Sequence, residues 1–208
     1  ARSVVLARDC GVRPSVVLTK ADRKQTAEAL AADVERVHRL VGAQGDVVVT
    51  SSVLGEGLDE VRSLVPAGRV AMILGESGAG KSTLLNALLG ADALATGAVR
   101  ERDDMGRHTT VARMMVKLPG AGVICDAPGL RSLPLVGHER GLAKAFPEIS
   151  ELAQTCRFRD CTHGDEPGCA VREAREAGEL DEVRVESYLA LADEMRASAS
   201  TLDPDVVL

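Results

Sequence analysis

The segment Gly75-Glu-Ser-Gly-Ala-Gly-Lys-Ser82 has the spacing G-x-x-x-x-G-K-[ST]. That spacing can hold the phosphates of a nucleotide. Glycines let successive backbone N–H groups converge on one anion, and a helix starting at the lysine adds positive partial charge at its N-terminus. Gly75, Glu76, Ser77, Gly78, Ala79 and Gly80 would form the cradle, with Thr83 in the helical turn behind it. Lys81 would reach the β- and γ-phosphates, and the Ser82 hydroxyl would ligate Mg²⁺. A merely structural glycine turn is the alternative. The expected strand before the motif and helix after it favour phosphate binding.

A phosphate loop alone does not choose a base. Thr19-Lys20-Ala21-Asp22 follows a short apolar run, at the end of an expected strand, where α/β sheets bind ligands. The Asp22 carboxylate offers two acceptors to the N1–H and 2-amino group of guanine. Adenine presents an acceptor at N1 and no 2-amino group. A site built on such bonds can reject the wrong base by on the order of 10⁴. By itself the tetrapeptide reads as a solvated turn; beside a phosphate loop it points to guanine. Thr50-Ser51-Ser52 ends the next expected strand and can give guanine O6 a backbone N–H. Asp126-Ala-Pro-Gly129 follows another strand; Asp126 can hold Mg²⁺ through water, and the Gly129 N–H can bond the γ-phosphate. In Gly106-Arg-His-Thr-Thr110 a hydroxyl of Thr109 or Thr110 could complete the Mg²⁺ shell.

A second chemistry lies further along. Cys156, Cys161, His163 and Cys169 place three thiols and one imidazole within fourteen residues. Four N/S ligands make a closed tetrahedral zinc site, structural rather than catalytic. Gly164 and Gly168 permit the tight wrap. The nearby Arg157, Arg159, Arg172 and Arg175 are offset by Asp160, Asp165, Glu166 and Glu173, a mixed solvated surface.

These residues need a scaffold, and the apolar pattern supplies one. Residues 1–11 read as the end of a helix closed by Gly11, 25–41 as an amphipathic helix carrying Leu30, Val34, Val37 and Val41, 58–65 as a short helix, and 81–89 as the helix behind the phosphate loop. Strands are expected at 15–19, 47–50, 70–74, 113–118 and 121–125, the last two as a hairpin. The polar stretch 91–110 reads as a long loop. After Ser132 no strand signal returns, and 139–153 and 170–198 read as helical. Strands alternating with helices predict a mostly parallel α/β sheet, followed by a small helical domain. The boundary is placed at 138/139, giving domains 1–138 and 139–208.

Composition agrees with that architecture. The 208 residues are 45% hydrophobic and 27% charged, within the globular range. With only 1% aromatics the core must be Val, Leu, Ile and Ala. A net charge of −6 argues against a protein that coats nucleic acid nonspecifically. Five cysteines, an odd number, argue against a pure disulfide scaffold. No apolar run approaches the roughly 20 residues of a membrane helix. A cytoplasmic monomer with no membrane partner is expected.

The motifs are those of a GTPase in permuted order, with the guanine motifs (19–22, 50–52) before the phosphate loop (75–82), the threonine switch (106–110) and Asp126–Gly129. That order, followed by the Cys-Cys-His-Cys segment, resembles the ribosome small subunit-dependent GTPase A family of circularly permuted bacterial GTPases. The resemblance runs from about Val4 to Met195 and is most specific at 106–110 and 156–169. It implies a GTP-hydrolysing factor for late maturation of the small ribosomal subunit, stimulated by that subunit and contacting its rRNA. It also implies a P-loop GTPase fold, structural zinc and Mg²⁺. The family's N-terminal OB-fold domain has no counterpart here. Thr19 stands where many members have Asn, and Ser52 where the usual motif has Ala. Leu130 occupies the place where many GTPases carry a water-orienting Gln, so hydrolysis without a partner should be slow; His108 is a candidate replacement. A transporter-type P-loop ATPase is disfavoured by Asp22. A non-enzymatic rRNA-binding zinc module with a vestigial nucleotide site is disfavoured by the intact Lys81, Ser82 and Asp126. A GTPase sheet also has a strand between those leading to the phosphate loop and to Thr19–Asp22. Residues 1–11 can supply the helix that follows it but not the strand itself, so an upstream apolar strand and a gap between 70–74 and 16–19 are expected.

Overall fold

A computed structural model of the protein describes residues 1–24, 26–42, 45–90, 114–126 and 134–201. They pack as two compact units. One comprises Ser15–Val34 and Val47–Leu133; the other comprises Ala1–Pro14, Glu35–Asp46 and Pro134–Leu208.

The first unit carries the strands β1 (Ser15–Leu18), β2 (Asp46–Val49, from Val47 on), β3 (Val70–Ile73), β4 (Met114–Lys117) and β5 (Val123–Asp126). It also holds the start of α2 (Ala27–Val41), together with α3 (Leu58–Leu64) and α4 (Lys81–Leu89). Strand β3 runs parallel to β5, with Ile73 level with Asp126, and β4 returns antiparallel on the far side of β5. The expected hairpin is thus present, closed by Gly120 at φ 68°. Leu84, Leu85 and Leu88 of α4 and Val61 and Val65 beside them are buried with Val116, Leu118 and Ile124. Each buried leucine contributes about 1.5–3 kcal/mol of transfer free energy. The helix that opens at the phosphate loop is therefore anchored by its apolar face.

Among the described residues β1 pairs with β2, while β3, β5 and β4 form a separate sheet. The strand leading to Thr19 and the strand leading to Gly75 are not neighbours, as the strand count led us to expect.

Gly57 shows how tightly the β2–α3 connection is made. Its φ is 72°, and a Cβ there would lie 2.1 Å from the Val49 carbonyl oxygen. Gly55 has a similar φ of 75° with open space around it. Gly55→Ala is expected to cost about 1 kcal/mol, the left-handed strain alone, and Gly57→Ala about 2–3 kcal/mol. Urea midpoints at unchanged m-value would measure both; equal costs would contradict the close approach.

The second unit is helical: α1 (Arg2–Asp9), the end of α2, α5 (Glu139–Ala145), α6 (Pro147–Ala153), α7 (Ala170–Glu176) and α8 (Glu182–Thr201). The two long helical stretches expected after 139 are each broken in two. Pro147 cannot donate an N–H and starts α6 at its first position. Gly178, at φ 73°, ends α7, and the Asp181 carboxylate accepts the Arg184 N–H as α8 begins. The core is Val5, Leu135, Phe146, Ile149, Val171 and Val185 with their neighbours. Arg184 donates to Glu148 and to the carbonyls of Ala145, Arg39 and Leu40, tying α6 and the end of α2 together. The packing does not follow the expected boundary at 138/139. Residues 1–14 belong with the helices, because α1 buries Val4 and Val5 there and Gly141 lets the α5 backbone approach it closely. A Cβ at Gly141 would lie 2.4 Å from the Val5 carbonyl oxygen.

Among the described residues no helix is long and apolar enough to cross a membrane.

Candidate functional site

Strand β3 ends at Ile73, and residues 75–80 turn into α4, whose N-cap is Gly80. Gly78 and Gly80 take φ 77° and 85°, values open to glycine at little cost. The Lys81 ammonium bends back over the loop, donating to the carbonyls of Gly75 at 2.7 Å and Glu76 at 2.9 Å. Two of its three protons are thereby placed, and the third remains for an anion cradled by the loop.

The Thr19–Asp22 segment meets this loop directly. The Thr19 hydroxyl donates to the Ala79 carbonyl at 2.7 Å, and the Lys20 ammonium donates to the Gly78 carbonyl. Lys20 is itself left-handed, at φ 61°, and leads into a 3₁₀ turn over Ala21–Arg23. That turn is pinned by the Ala21 N–H on the Thr50 carbonyl. Asp22 is oriented by the Ser51 hydroxyl, which donates to Oδ1 at 2.7 Å. Ser51 itself is fully buried, and its N–H is taken by the Glu56 carbonyl. The Thr50 N–H is likewise taken, by the Leu18 carbonyl. Of the three residues expected to offer an amide to a base, Ser52 is the one whose N–H neither of these bonds consumes.

Asp126 ends β5, beside the strand that leads into the phosphate loop. Its Oδ1 is buried with no hydrogen-bond partner among the described residues. A buried carboxylate oxygen without a partner is costly, and a cation or its bound water would satisfy it. The donor set of Asp126 with the Ser82 hydroxyl therefore suits Mg²⁺, which prefers oxygen ligands and retains water. His108, Thr109, Thr110, Gly129 and Leu130 lie outside the described residues.

In the helical unit the four expected metal ligands do converge. The ligand atoms of Cys156, Cys161, His163 and Cys169 all lie within 4.8 Å of one another. His163 Nδ1 is 3.6 Å from both Cys156 Sγ and Cys169 Sγ, and those two sulfurs are 4.0 Å apart. Tetrahedral bonds of zinc length would give edges of about 3.5–3.8 Å. The cluster therefore has the dimensions of a four-coordinate site. Burial pushes the Cys161 thiol up to about 11, with the neighbouring thiols adding to it, and burial lowers the His163 pKa. A divalent metal would reverse the first effect and is suited by the second, since it binds thiolate and neutral imidazole. The wrap is fixed by Glu166, whose carboxylate accepts both the Thr162 N–H at 2.8 Å and its hydroxyl at 2.6 Å. Those two bonds hold the Glu166 carboxyl down at about 2.

Three contacts were not legible beforehand: the Thr19 strut to Ala79, the Ser51 hydroxyl on Asp22, and the Glu56 carbonyl that consumes the Ser51 N–H. The first spans sixty positions, and no local pattern announces it.

Known proteins resemble the chain as follows. A family model described as RsgA GTPase matches residues 1–136. A small ribosomal subunit biogenesis GTPase RsgA of Streptomyces avermitilis is 47% identical over 203 residues, 97% of this chain and 54% of that protein. Its namesake from Streptomyces coelicolor is 46% identical, covering 97% and 55% respectively. The chain spans about half the length of the curated relatives it matches. Among solved structures, YjeQ from Thermotoga maritima aligns with a TM-score of 0.66 at 28% identity, over 93% of this chain and 64% of that one. YloQ, described as a circularly permuted GTPase, shares the fold with a TM-score of 0.61 at 23% identity, over 95% and 62%.

Proposed function

The chain belongs to the RsgA GTPase family, and from that premise we propose that it binds and hydrolyses GTP as a cytoplasmic factor in late maturation of the small ribosomal subunit. The relatives named for small ribosomal subunit biogenesis support the biological role. One observation carries the chemistry: Thr19 and Lys20 are bonded to the carbonyls of Ala79 and Gly78, which sets the base reader Asp22 at a fixed offset from the phosphate cradle. A single nucleotide would thus meet a carboxylate at its base and Lys81 at its phosphates.

Residues 1–138 carry the nucleotide chemistry, by motif, and 139–208 the metal. Gly75–Gly80 and Thr83 surround the phosphates, and Lys81 places its remaining proton on a β- or γ-oxygen. Ser82 and Asp126 would hold Mg²⁺, joined by Thr109 or Thr110. When bound, the ion neutralises charge on the phosphate oxygens. The Ser52 N–H meets guanine O6. The Gly129 N–H bonds the γ-phosphate. Leu130 cannot orient water, so turnover waits on the subunit and its rRNA, with His108 as the candidate side chain for that task. Cys156, Cys161, His163 and Cys169 hold one structural zinc.

Hydrolysis of GTP, measured with and without purified small ribosomal subunits, tests the proposal. Slow turnover alone and a large rise with subunits are expected. Lys81→Ala should lower the stimulated rate by on the order of 10²–10³, the cost of losing one preorganised donor to a developing oxyanion. Rapid hydrolysis without subunits, or ATP consumed as readily as GTP, would count against it.

A further inference from the structure

We propose that a basic cleft at the end of α1, within the helical unit, binds the phosphates of an RNA strand through Arg8, Arg13 and Lys144. The inference rests on the reading above that the chain meets rRNA, and it assigns the place of contact.

The cleft holds about 680 Å³ and is lined by Arg8, Val12, Arg13, Lys144 and Pro147 together with Gly11. Three cations on one opening run against the net charge of −6 that the chain carries. The turn that ends α1 brings two of them together. The Gly11 N–H is bonded to the Arg8 carbonyl at 3.1 Å and the Val12 N–H to the Ala7 carbonyl at 2.8 Å, with Gly11 left-handed at φ 70°. That pattern closes the helix and turns the chain, so that Arg8 and Arg13 line the same opening. Lys144 comes from the last turn of α5, where its ammonium donates to the Arg8 carbonyl at 3.2 Å.

The neighbouring acids are engaged elsewhere. Glu148, next to Pro147, has both carboxylate oxygens on Arg184. Asp9, next to Arg8, is bonded to His138 Nδ1 at 2.8 Å. Asp46 does meet the lining, taking one N–H of Arg13 at 2.7 Å, yet the Arg13 side chain stays 68% exposed, with most of its fork in solvent. Lys144 keeps two protons beyond the one on the Arg8 carbonyl. A guanidinium fork matches two oxygens of a phosphate, and an ammonium adds a point charge beside it. Val12, 58% exposed, and Pro147 give the cleft an apolar side on which a ribose can lie. An acidic peptide would also meet the charges; the function proposed above brings the chain to RNA and decides between the two polyanions. The arginines of the metal wrap are not equivalent. Arg175 is paired with Glu182, and Arg172 with the Gly164 carbonyl and Glu176.

The test follows binding of a short fluorescent oligouridylate to the whole, metal-loaded chain by anisotropy over a series of salt concentrations. The slope of log Kd against log salt should flatten by about 0.7 for each phosphate contact removed, hence by about 1.4 in an Arg13→Ala, Lys144→Ala double variant. At low salt that variant should bind the RNA roughly tenfold more weakly. Its affinity for GDP should be unchanged. Lys144→Gln alone keeps a donor for the Arg8 carbonyl and should give about half the flattening. Arg175→Ala removes the same charge from the same unit and should leave the slope as it is. Equal flattening in Arg175→Ala would reduce the effect to net charge and overturn the site. A short polyglutamate bound as tightly as the RNA would overturn it too. An unchanged slope in the double variant, with stimulation by small subunits intact, would sink the placement alone. No RNA binding by the unaltered chain, with no stimulation by small subunits, would sink the rRNA reading and this proposal with it.

Discussion

Replacing Cys161 with serine, or withdrawing metal with a chelator, is expected to unfold the helical unit while nucleotide binding survives. The physical basis is the balance of terms. Binding of structural zinc to a Cys/His site contributes about 10–16 kcal/mol at neutral pH, and a whole domain is stable by only about 5–15 kcal/mol. The four ligands here are not a peripheral clasp. Cys169 is fully buried in the core that contains Val171, Phe146 and Tyr188, and Cys156 and Cys161 pack against it. Withdrawing the metal would remove the ion that draws those three thiols and the His163 imidazole together. Elemental analysis should find one zinc per chain in protein purified without added metal, and chelation should remove much of the far-UV helical signal. Hydrogen exchange gives a sharper outcome. Because α1 packs in this unit, its amides should lose protection together with those of α5, although 130 or so positions separate them in the chain. Amides of α4 should stay protected. Metal-free protein with native helicity, or Cys156 found in a disulfide under reducing conditions, would refute the zinc assignment.

Local features were legible in the sequence, and long-range ones were not. The helix behind the phosphate loop runs from Lys81 to Leu89, as expected, because a glycine at each end and an apolar face define it without reference to anything distant. Pro147 and Gly178 are ordinary helix-stopping residues, and each divides a stretch whose apolar pattern alone suggests one long helix. The partner of α1 is a different matter. Val4 and Val5 announce a buried face but not what buries it, and Gly141 is informative only once the α1 backbone is known to lie against it. The boundary at 138/139 followed the order of motifs along the chain, whereas packing returns residues 1–14 to the helices.

The same division holds within the site. The glycine-rich loop and the Cys/His segment are each short stretches of sequence, and the Cys/His side chains converge as expected. Thr19–Asp22 is also contiguous, but what its side chains do depends on a loop sixty positions away. The Thr19 hydroxyl is on the Ala79 carbonyl, where a polar side chain packed on a loop satisfies two groups at once.

Asp22→Asn is expected to convert the protein from a guanine to a xanthine nucleotide binder, and the position of the Ser51 hydroxyl says why the exchange should be productive. That hydroxyl donates to Oδ1 of Asp22 at 2.7 Å. In the asparagine variant only the amide oxygen can accept that proton, and keeping the bond turns the amide nitrogen toward the base in place of a carboxylate oxygen. There it would oppose the donors of guanine and would meet the 2-carbonyl of xanthine as a donor. The ratio of GDP to XDP affinity should shift by on the order of 10⁴, the range in which a hydrogen-bonding site rejects a mismatched analogue. Competition of GDP and XDP against a fluorescent nucleotide reads both constants on one preparation. Ser51→Ala provides the second arm. Alone it should weaken GDP by roughly tenfold or less, since Asp22 loses an orienting bond but keeps both acceptors. Combined with Asp22→Asn it frees the amide to rotate, and the preference for XDP should shrink. If Asp22→Asn weakens GDP and XDP alike, Asp22 only shapes the loop and guanine is chosen elsewhere. If the double variant prefers XDP as strongly as the single one, Ser51 does not set the orientation of residue 22.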